Sequence, residues 1–350
     1  MARSKIAIIG TGLIGTSIGL NLMSRKDRSY EVVGIDRDRT HTRTAKKLEA
    51  IDREVGSLEE AVTDAGLVIL AVPVQASHDL MESMGPYLRP GAVVTDTCST
   101  KSEIMRWAKD LLPEGVHFVG THPMAGKESS GPRAAAMDLF QGATWAVMPS
   151  PAADEGAVNV VLGLIESLGA HPLHIDPAEH DQYAAAVSHV PILLSVALFR
   201  LVRDSAGWED AALLSGPAFK DLTRLASGDP VMSTDIMGTN REAVLHWLRR
   251  YRESLEAMEK MLADDQDELA KLFASTYVDR EAFLTNPRVE RQQGGIPLPS
   301  SQDAMGQMLV GKYYERLKEL TSGDSAAKMA KIDREELRRK LERPGKNGDR

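Results

Sequence analysis

The chain has 350 residues, 43% hydrophobic and 26% charged, an ordinary balance for a globular protein with room for about two domains. A formal net charge of −8 argues against a nucleic-acid surface, which would be basic, and the single cysteine, Cys98, excludes an intrachain disulfide. No run approaches the about 18 apolar residues of a membrane span, and the first apolar run is too short for a signal peptide, so a cytoplasmic protein without a membrane partner is expected.

Ile6–Ile9 reads as a short strand buried on both faces. It runs into Gly10-Thr11-Gly12-Leu13-Ile14-Gly15 and then into a helical stretch over Thr16–Ser24. Strand, G-x-G-x-x-G and helix in that order form the context of a dinucleotide-binding turn. Gly10 permits the tight turn, Gly12 admits the pyrophosphate to the backbone, and Gly15 allows close helix–strand packing. A second strand, Glu31–Ile35, ends at Asp36, about 20 residues on, where a carboxylate accepts from ribose hydroxyls and repels a 2′-phosphate. NAD is therefore expected over NADP, with Arg37 partly offsetting that repulsion.

Further strands are predicted at Leu67–Val72, Ala92–Thr95, His117–Gly120, Ala143–Met148 and His171–Ile175. Helices are predicted at Gln75–Met84, Ser102–Leu112 and Asp154–Leu168. The alternation implies an α/β fold with a doubly wound, mainly parallel Rossmann-type sheet. Ligands of such sheets bind beyond the C-terminal strand ends, where Val72, Asp96–Lys101 and His122 all fall. Gly120–Pro132, with four glycines or prolines after His122, reads as a loop suited to chemistry.

From Ala178 the pattern becomes all-helical, giving a nucleotide domain over 1–177, a helical substrate and dimerisation domain over 178–320, and a charged tail over 321–350. Tyr183, Val187, Val190, Leu194, Ala197 and Leu201 form one helical face, which Pro191 should kink, freeing a carbonyl near Val187. On residue type alone, His189 just before that kink reads as a buried core histidine. Helices are also expected over Asp210–Leu214, Pro217–Leu225, Val231–Gly238, Arg241 to about Phe273, and Ala304–Leu320, with a loop over 286–301. Long helices with a wide apolar stripe suit a homodimer interface. No metal site is expected.

Asp96-x-x-Ser99-x-Lys101, His122-Pro-Met-Ala-Gly-x-Glu128, Ser188-His189-x-Pro191 and Phe219-Lys-Asp221-Leu-Thr-Arg224 follow the glycine motif in this order. Together they resemble the prephenate and arogenate dehydrogenases of tyrosine biosynthesis, over roughly Lys5 to Phe283. The resemblance implies NAD(P)-dependent oxidative decarboxylation of a cyclohexadienol, prephenate or arogenate. It implies that His122 accepts the ring-hydroxyl proton and that Ser99 bonds that hydroxyl or the nicotinamide carboxamide. Arg224 would hold a substrate carboxylate, against the plainer reading of an ion pair with Asp221. His189 would move from the core to the substrate side, and Glu128 would join Asp221 and Arg224 in an ionic gate. Three positions depart from the family pattern: Ile192 stands where a second histidine is frequent, Cys98 where glycine is common, and Lys127 where a small polar residue is usual. A hydroxyacid dehydrogenase of similar plan and a non-catalytic NAD-binding regulator are the competing readings.

Overall fold

The computed structural model describes residues 4–127 and 129–285. Glu128, the expected loop at 286–301, the helix Ala304–Leu320 and the tail lie outside the described residues. The first half contains β1 (Ser4–Ile9), α1 (Leu13–Met23), β2 (Tyr30–Ile35), α2 (Arg39–Lys47), β3 (Arg53–Glu54), α3 (Leu58–Val62) and β4 (Ala65–Leu70). There follow α4 (Val74–Met84), β5 (Val93–Asp96), α5 (Ser102–Leu111), β6 (His117–Pro123), β7 (Thr144–Pro149), α6 (Glu155–Ser167) and β8 (His171–His174). The short α2, β3 and α3 carry too little apolar periodicity to have been read from the sequence.

The strands form one sheet in the order β3-β2-β1-β4-β5-β6-β7-β8. All pairings are parallel except β6–β7, so the last two strands run against the rest. Alternate side chains of each strand go to opposite faces. Ile6 and Ile8 join Ile18, Leu22, Val161 and Ile165 in one apolar layer, while Ala7 and Ile9 join Val68, Met81, Ile104 and Trp107 in the other. The order reverses direction between β1 and β4, which opens a crevice at their C-terminal ends.

The second half contains α7 (Pro177–Ala184), a π-helical turn (Ala185–His189), α8 (Val190–Arg203), α9 (Trp208–Leu213) and α10 (Pro217–Thr223). A 3₁₀ turn (Arg224–Ser227), α11 (Pro230–Thr239), α12 (Arg241–Asp264) and α13 (Gln266–Thr285) complete it. Pro177 at the first helical position and Asp176, which accepts from the Ala178 and Glu179 N–H groups, start α7.

Four expectations are corrected. The loop expected from Gly120 begins later, because β6 continues through Pro123 by pairing with β7; His122 lies in a strand opposite Ala146. The single helix expected from Arg241 to about Phe273 breaks at Asp265, whose non-helical backbone ends α12 and whose carboxylate accepts from Glu268 N–H to start α13. The kink expected at Pro191 takes the form of a π turn just before it: Val190 N–H bonds Ala185 C=O, five residues back. Finally, Pro177–Arg203 is a continuous 27-residue helix with a window of mean hydropathy 1.9, apolar enough by length and composition to cross a membrane. Small alanines and isolated polar residues broke up its apolar runs in the sequence. Its buried side chains include His180, Asp181, His189 and Ser195, polar groups held by the rest of the fold.

Candidate active site

The three glycines of the first turn fit a dinucleotide for three different reasons. Gly10 has φ +95°, and a Cβ there would lie 2.2 Å from Ala71 O and 2.7 Å from Val72 Cγ1. At Gly15 a Cβ would lie 2.0 Å from Gly10 O, so helix and turn pack too closely for any side chain. A Cβ on Gly12, in contrast, would meet nothing within 4 Å: the space above this backbone is open, as a pyrophosphate requires. Gly12 starts α1 without a side-chain cap, leaving the first N–H groups of Leu13, Ile14 and Gly15 available to an anion. The donor set therefore fits the cofactor. Asp36 ends β2 beside this turn; its Oδ2 accepts from Thr11 N–H at 2.8 Å and its Oδ1 from Asp38 N–H at 2.9 Å. Arg37 is exposed next to it, and His41, which the sequence reading passed over, brings Nδ1 to 3.7 Å from Asp36 Oδ2.

The next strand ends carry a buried ion pair. Asp96 and Lys101 are both fully buried and bonded to each other. Asp96 also accepts from Cys98 N–H at 2.9 Å and from Thr121 N–H at 3.0 Å, while Thr121 Oγ1 donates to Asp96 C=O. One carboxylate thus locks the loop bearing Ser99 to the strand bearing His122. Cys98 bonds Ser77 at 3.3 Å, and burial, reinforced by Asp96, pushes its thiol up to about 12, so it is an inert filler.

The helical half seats on this edge by capping helices that lack caps of their own. Neither α4 nor α5 has a side-chain cap from its own N-cap residue. Asp235 on α11 accepts from Gln75 N–H at 3.1 Å, and Asp181 on α7 accepts from Lys101 and Ser102 N–H groups, each at 2.8 Å. Thr239 and Thr100 hydroxyls meet at 2.9 Å. Burial alone would raise the Asp181 carboxyl, but bonds from His180 and these N–H groups outweigh it and hold the carboxyl below its ordinary value.

Two histidine systems meet at Asp181. His122 Nδ1 lies 2.9 Å from His180 Nε2, and His180 Nδ1 lies 2.9 Å from Asp181 Oδ1. His189 Nδ1 lies 3.1 Å from Asn240 Nδ2, which also donates to Asp181 C=O at 2.7 Å. His189 is completely buried and its Nε2 has no hydrogen-bond partner among the described residues, although the Ser99 backbone is close to the ring. Burial, then repulsion from His180, Lys101 and His189, holds His122 neutral well below the ordinary 6.5. Burial likewise brings His189 down to about 4 against the opposing pull of Asp181.

The π turn brings His180 and His189 to one side. Nine residues of unbroken α-helix rotate through about 900°, half a turn out of phase. The extra residue in the π turn takes back about 100° and leaves the two within about 80°.

Of the residues singled out in the sequence, the glycine turn, Asp36, Val72, Ser99, His122 and His189 gather along the crevice and the seam. Arg224 and Asp221 are exposed, on the 3₁₀ turn and on α10; the turn is held to α8 by Ala226 N–H bonding Ser195 Oγ at 3.0 Å. Glu128 is outside the described residues, so the three-membered ionic gate is not seen as a unit. Lys127 is exposed and donates to Ala134 C=O at 3.2 Å. The sequence reading missed His180, Asp181 and Asn240. Ideal helical phasing puts position 180 opposite position 189, so the pattern gave no signal for the first two, and nothing local marks Asn240.

The described residues contain no cluster of three or more ligating side chains suited to a metal ion. A family model described as prephenate dehydrogenase, nucleotide-binding domain, matches residues 19–173, and one described as prephenate dehydrogenase, dimerization domain, matches residues 176–275. The prephenate dehydrogenase of Bacillus subtilis (strain 168) is 30% identical over 301 residues, covering 84% of this chain and 79% of that one. Among solved structures, Synechocystis arogenate dehydrogenase is 29% identical with a TM-score of 0.67, over 80% of this chain and 99% of that one. Prephenate dehydrogenase from A. aeolicus, in complex with hydroxyphenyl propionate and NAD+, is 26% identical with a TM-score of 0.75, over 81% and 99%.

Proposed function

The chain belongs to the prephenate dehydrogenase family and is an NAD-dependent oxidoreductase, and we propose that it converts prephenate to 4-hydroxyphenylpyruvate by oxidative decarboxylation. The observation that carries this reading is His122: a buried, neutral imidazole near the end of β6, backed by His180 and Asp181, on the same strand-end edge of the sheet as the glycine turn. Bound NAD supplies the hydride acceptor. His122 takes the proton of the ring hydroxyl as hydride leaves the same carbon, work for which a positioned base is typically worth about 10²–10⁴ in rate. Breaking the bond to the ring carboxylate releases CO₂ and makes the ring aromatic, and the oxygen recovers its proton as the phenol. Ser99 bonds that hydroxyl or the nicotinamide carboxamide. His189 contacts the substrate from the helical side, and Arg224 offers a guanidinium fork to a carboxylate, with Glu128 and Asp221 tuning its approach.

Asp36 makes NAD preferred over NADP, since its carboxylate is already fixed at the mouth of the turn where the ribose lies. The apolar residues left exposed on the helical domain, among them Val187, Leu201, Leu213, Leu214 and Leu222, suit burial against a second copy, in line with the dimerization-domain match. The likeness to Synechocystis arogenate dehydrogenase supports a second reading, in which the side chain is amino rather than keto and the product is tyrosine. Purified protein assayed with prephenate and with arogenate, each with NAD and NADP, decides between them. We expect the highest kcat/KM with prephenate and NAD; a preference for arogenate selects the second reading, and turnover of neither overturns both.

A further inference from the structure

We propose that Asp181 sets the two active-site histidines in opposite tautomers, making His122 Nε2 a lone-pair acceptor and His189 Nε2 an N–H donor, with His180 and Asn240 as the positioning residues between them. The inference deepens the reading of the site as a hydroxyl-oxidising centre and rests on it only for the kinetic consequence.

The bonding logic leaves one arrangement for neutral rings. An ionised carboxylate only accepts, so the proton between Asp181 Oδ1 and His180 Nδ1 belongs to the imidazole. His180 Nε2 then carries a lone pair, and His122 Nδ1, 2.9 Å away, must donate to it. His122 is left with an unprotonated Nε2. On the other branch, Asn240 Nδ2 donates to Asp181 C=O at 2.7 Å, which fixes the orientation of the amide. Its second hydrogen points to His189 Nδ1 at 3.1 Å, which must accept. The His189 proton therefore sits on Nε2, the buried atom without a partner among the described residues.

The two outcomes are complementary. A base needs a free lone pair at the reacting oxygen, and a tautomer lock removes the inactive form before substrate arrives. When His122 takes its second proton, the positive charge is shared through His180 toward Asp181. In the ligand-free protein the His189 N–H has only the nearby Ser99 backbone beside it, so it is a donor that a substrate oxygen can take over, which makes His189 selective for an acceptor group. Asp181 also caps α5 through Lys101 and Ser102 N–H, so the His122 tautomer depends on the two domains being docked, while that of His189 is set within the helical half.

The test is direct observation of the ring nitrogens by long-range ¹H–¹⁵N correlation on ¹⁵N-histidine-labelled full-length protein at neutral pH. The chain has nine histidines, and spectra of His122→Asn and His189→Asn assign the two signals by subtraction. We expect the Nδ1–H pattern for His122 and the Nε2–H pattern for His189 in the wild type. The same tautomer in both, or the reverse pair, overturns the proposal whatever the substrate proves to be. His180→Leu should abolish the single-tautomer signal of His122 and lower kcat by about tenfold or more with little change in KM. Asn240→Leu should do the same to the His189 signal while raising KM. Unchanged signals in these variants would remove His180 and Asn240 from the mechanism.

Discussion

The two halves of this molecule are stabilised in different ways. The nucleotide domain encloses its sheet between two apolar layers, and its buried ion pair Asp96–Lys101 is bonded by backbone N–H groups of the same domain. The helical domain, among the described residues, fully buries a cluster of only Ala185, Val190, Ala243 and Val244, and α9 and α13 bury no residue at all. It also buries polar side chains, among them His180, Asp181, His189, Ser195, Thr223 and Asn240. The first half is thus a self-contained support. The second is held by what it touches, the strand-end helices on one side and, as proposed, a second copy on the other. The groups proposed to be catalytic sit where the rigid half meets the dependent one.

Substitutions can break this contrast, and the largest effect should come from the self-contained half. Lys101→Met strands the Asp96 charge in the interior and should cost about 3–5 kcal/mol of stability, measured by urea unfolding. A loss below about 1 kcal/mol would mean that Asp96 is satisfied by backbone N–H groups alone. His122→Asn, on the same rigid support, should keep NAD affinity and lower kcat by at least about a hundredfold, about 2.7 kcal/mol in the barrier. Turnover close to wild type in that variant would falsify the assignment of the base.

On the dependent half the effects should be smaller. Leu213→Ala removes a side chain that is 86% exposed in the single chain. If α9 lies in the dimer interface, this should weaken dimerisation by about 1.5–3 kcal/mol, roughly tenfold to a hundredfold in Kd by sedimentation, and leave NAD binding intact. A Kd that does not move would place the interface on other helices.

The smallest effect per step concerns pH. His122 and His189 are held neutral by burial, so their folded values lie below the ordinary 6.5. Below that pH the unfolded chain binds protons that the folded one refuses, and stability falls as pH falls. The penalty is absent above 6.5 and grows by about 1.4 kcal/mol per pH unit for each group, down to about 4 for His189. Thermal unfolding of wild type and His189→Gln between these limits should show a shallower acid slope in the variant. Equal slopes would show that His189 does not carry the linkage.

Much of the nucleotide half was legible in order because its signals are local. The glycine spacing and Asp36 at the end of the next strand are both local signals, although the close approach that Gly10 permits is to Ala71 and Val72, just after β4. His122 could be singled out from its motif, but its strand could not: β6 extends to Pro123 only because β7 pairs with it from more than twenty residues away. The break at Asp265 was missed because the charged, periodic pattern of Arg241–Phe273 continues across it. His180 and Asp181 escaped notice because ideal helical phasing puts position 180 opposite position 189, and the π turn that corrects the phase arises from the missing N–H of Pro191.

The sequence by itself determined the dinucleotide turn, the alternation that builds a parallel sheet, the helical second half and the motifs that tie the chain to its family. These depend on period, on glycine sterics and on short-range spacing, all of which act along the chain. Tertiary structure alone decided that Asp181 caps α5 across the seam, that Asn240 reaches His189, and that His122 backs onto His180. Those contacts join residues 51 to 80 positions apart, and the tautomers and charge states that they set depend on burial, which no local pattern encodes.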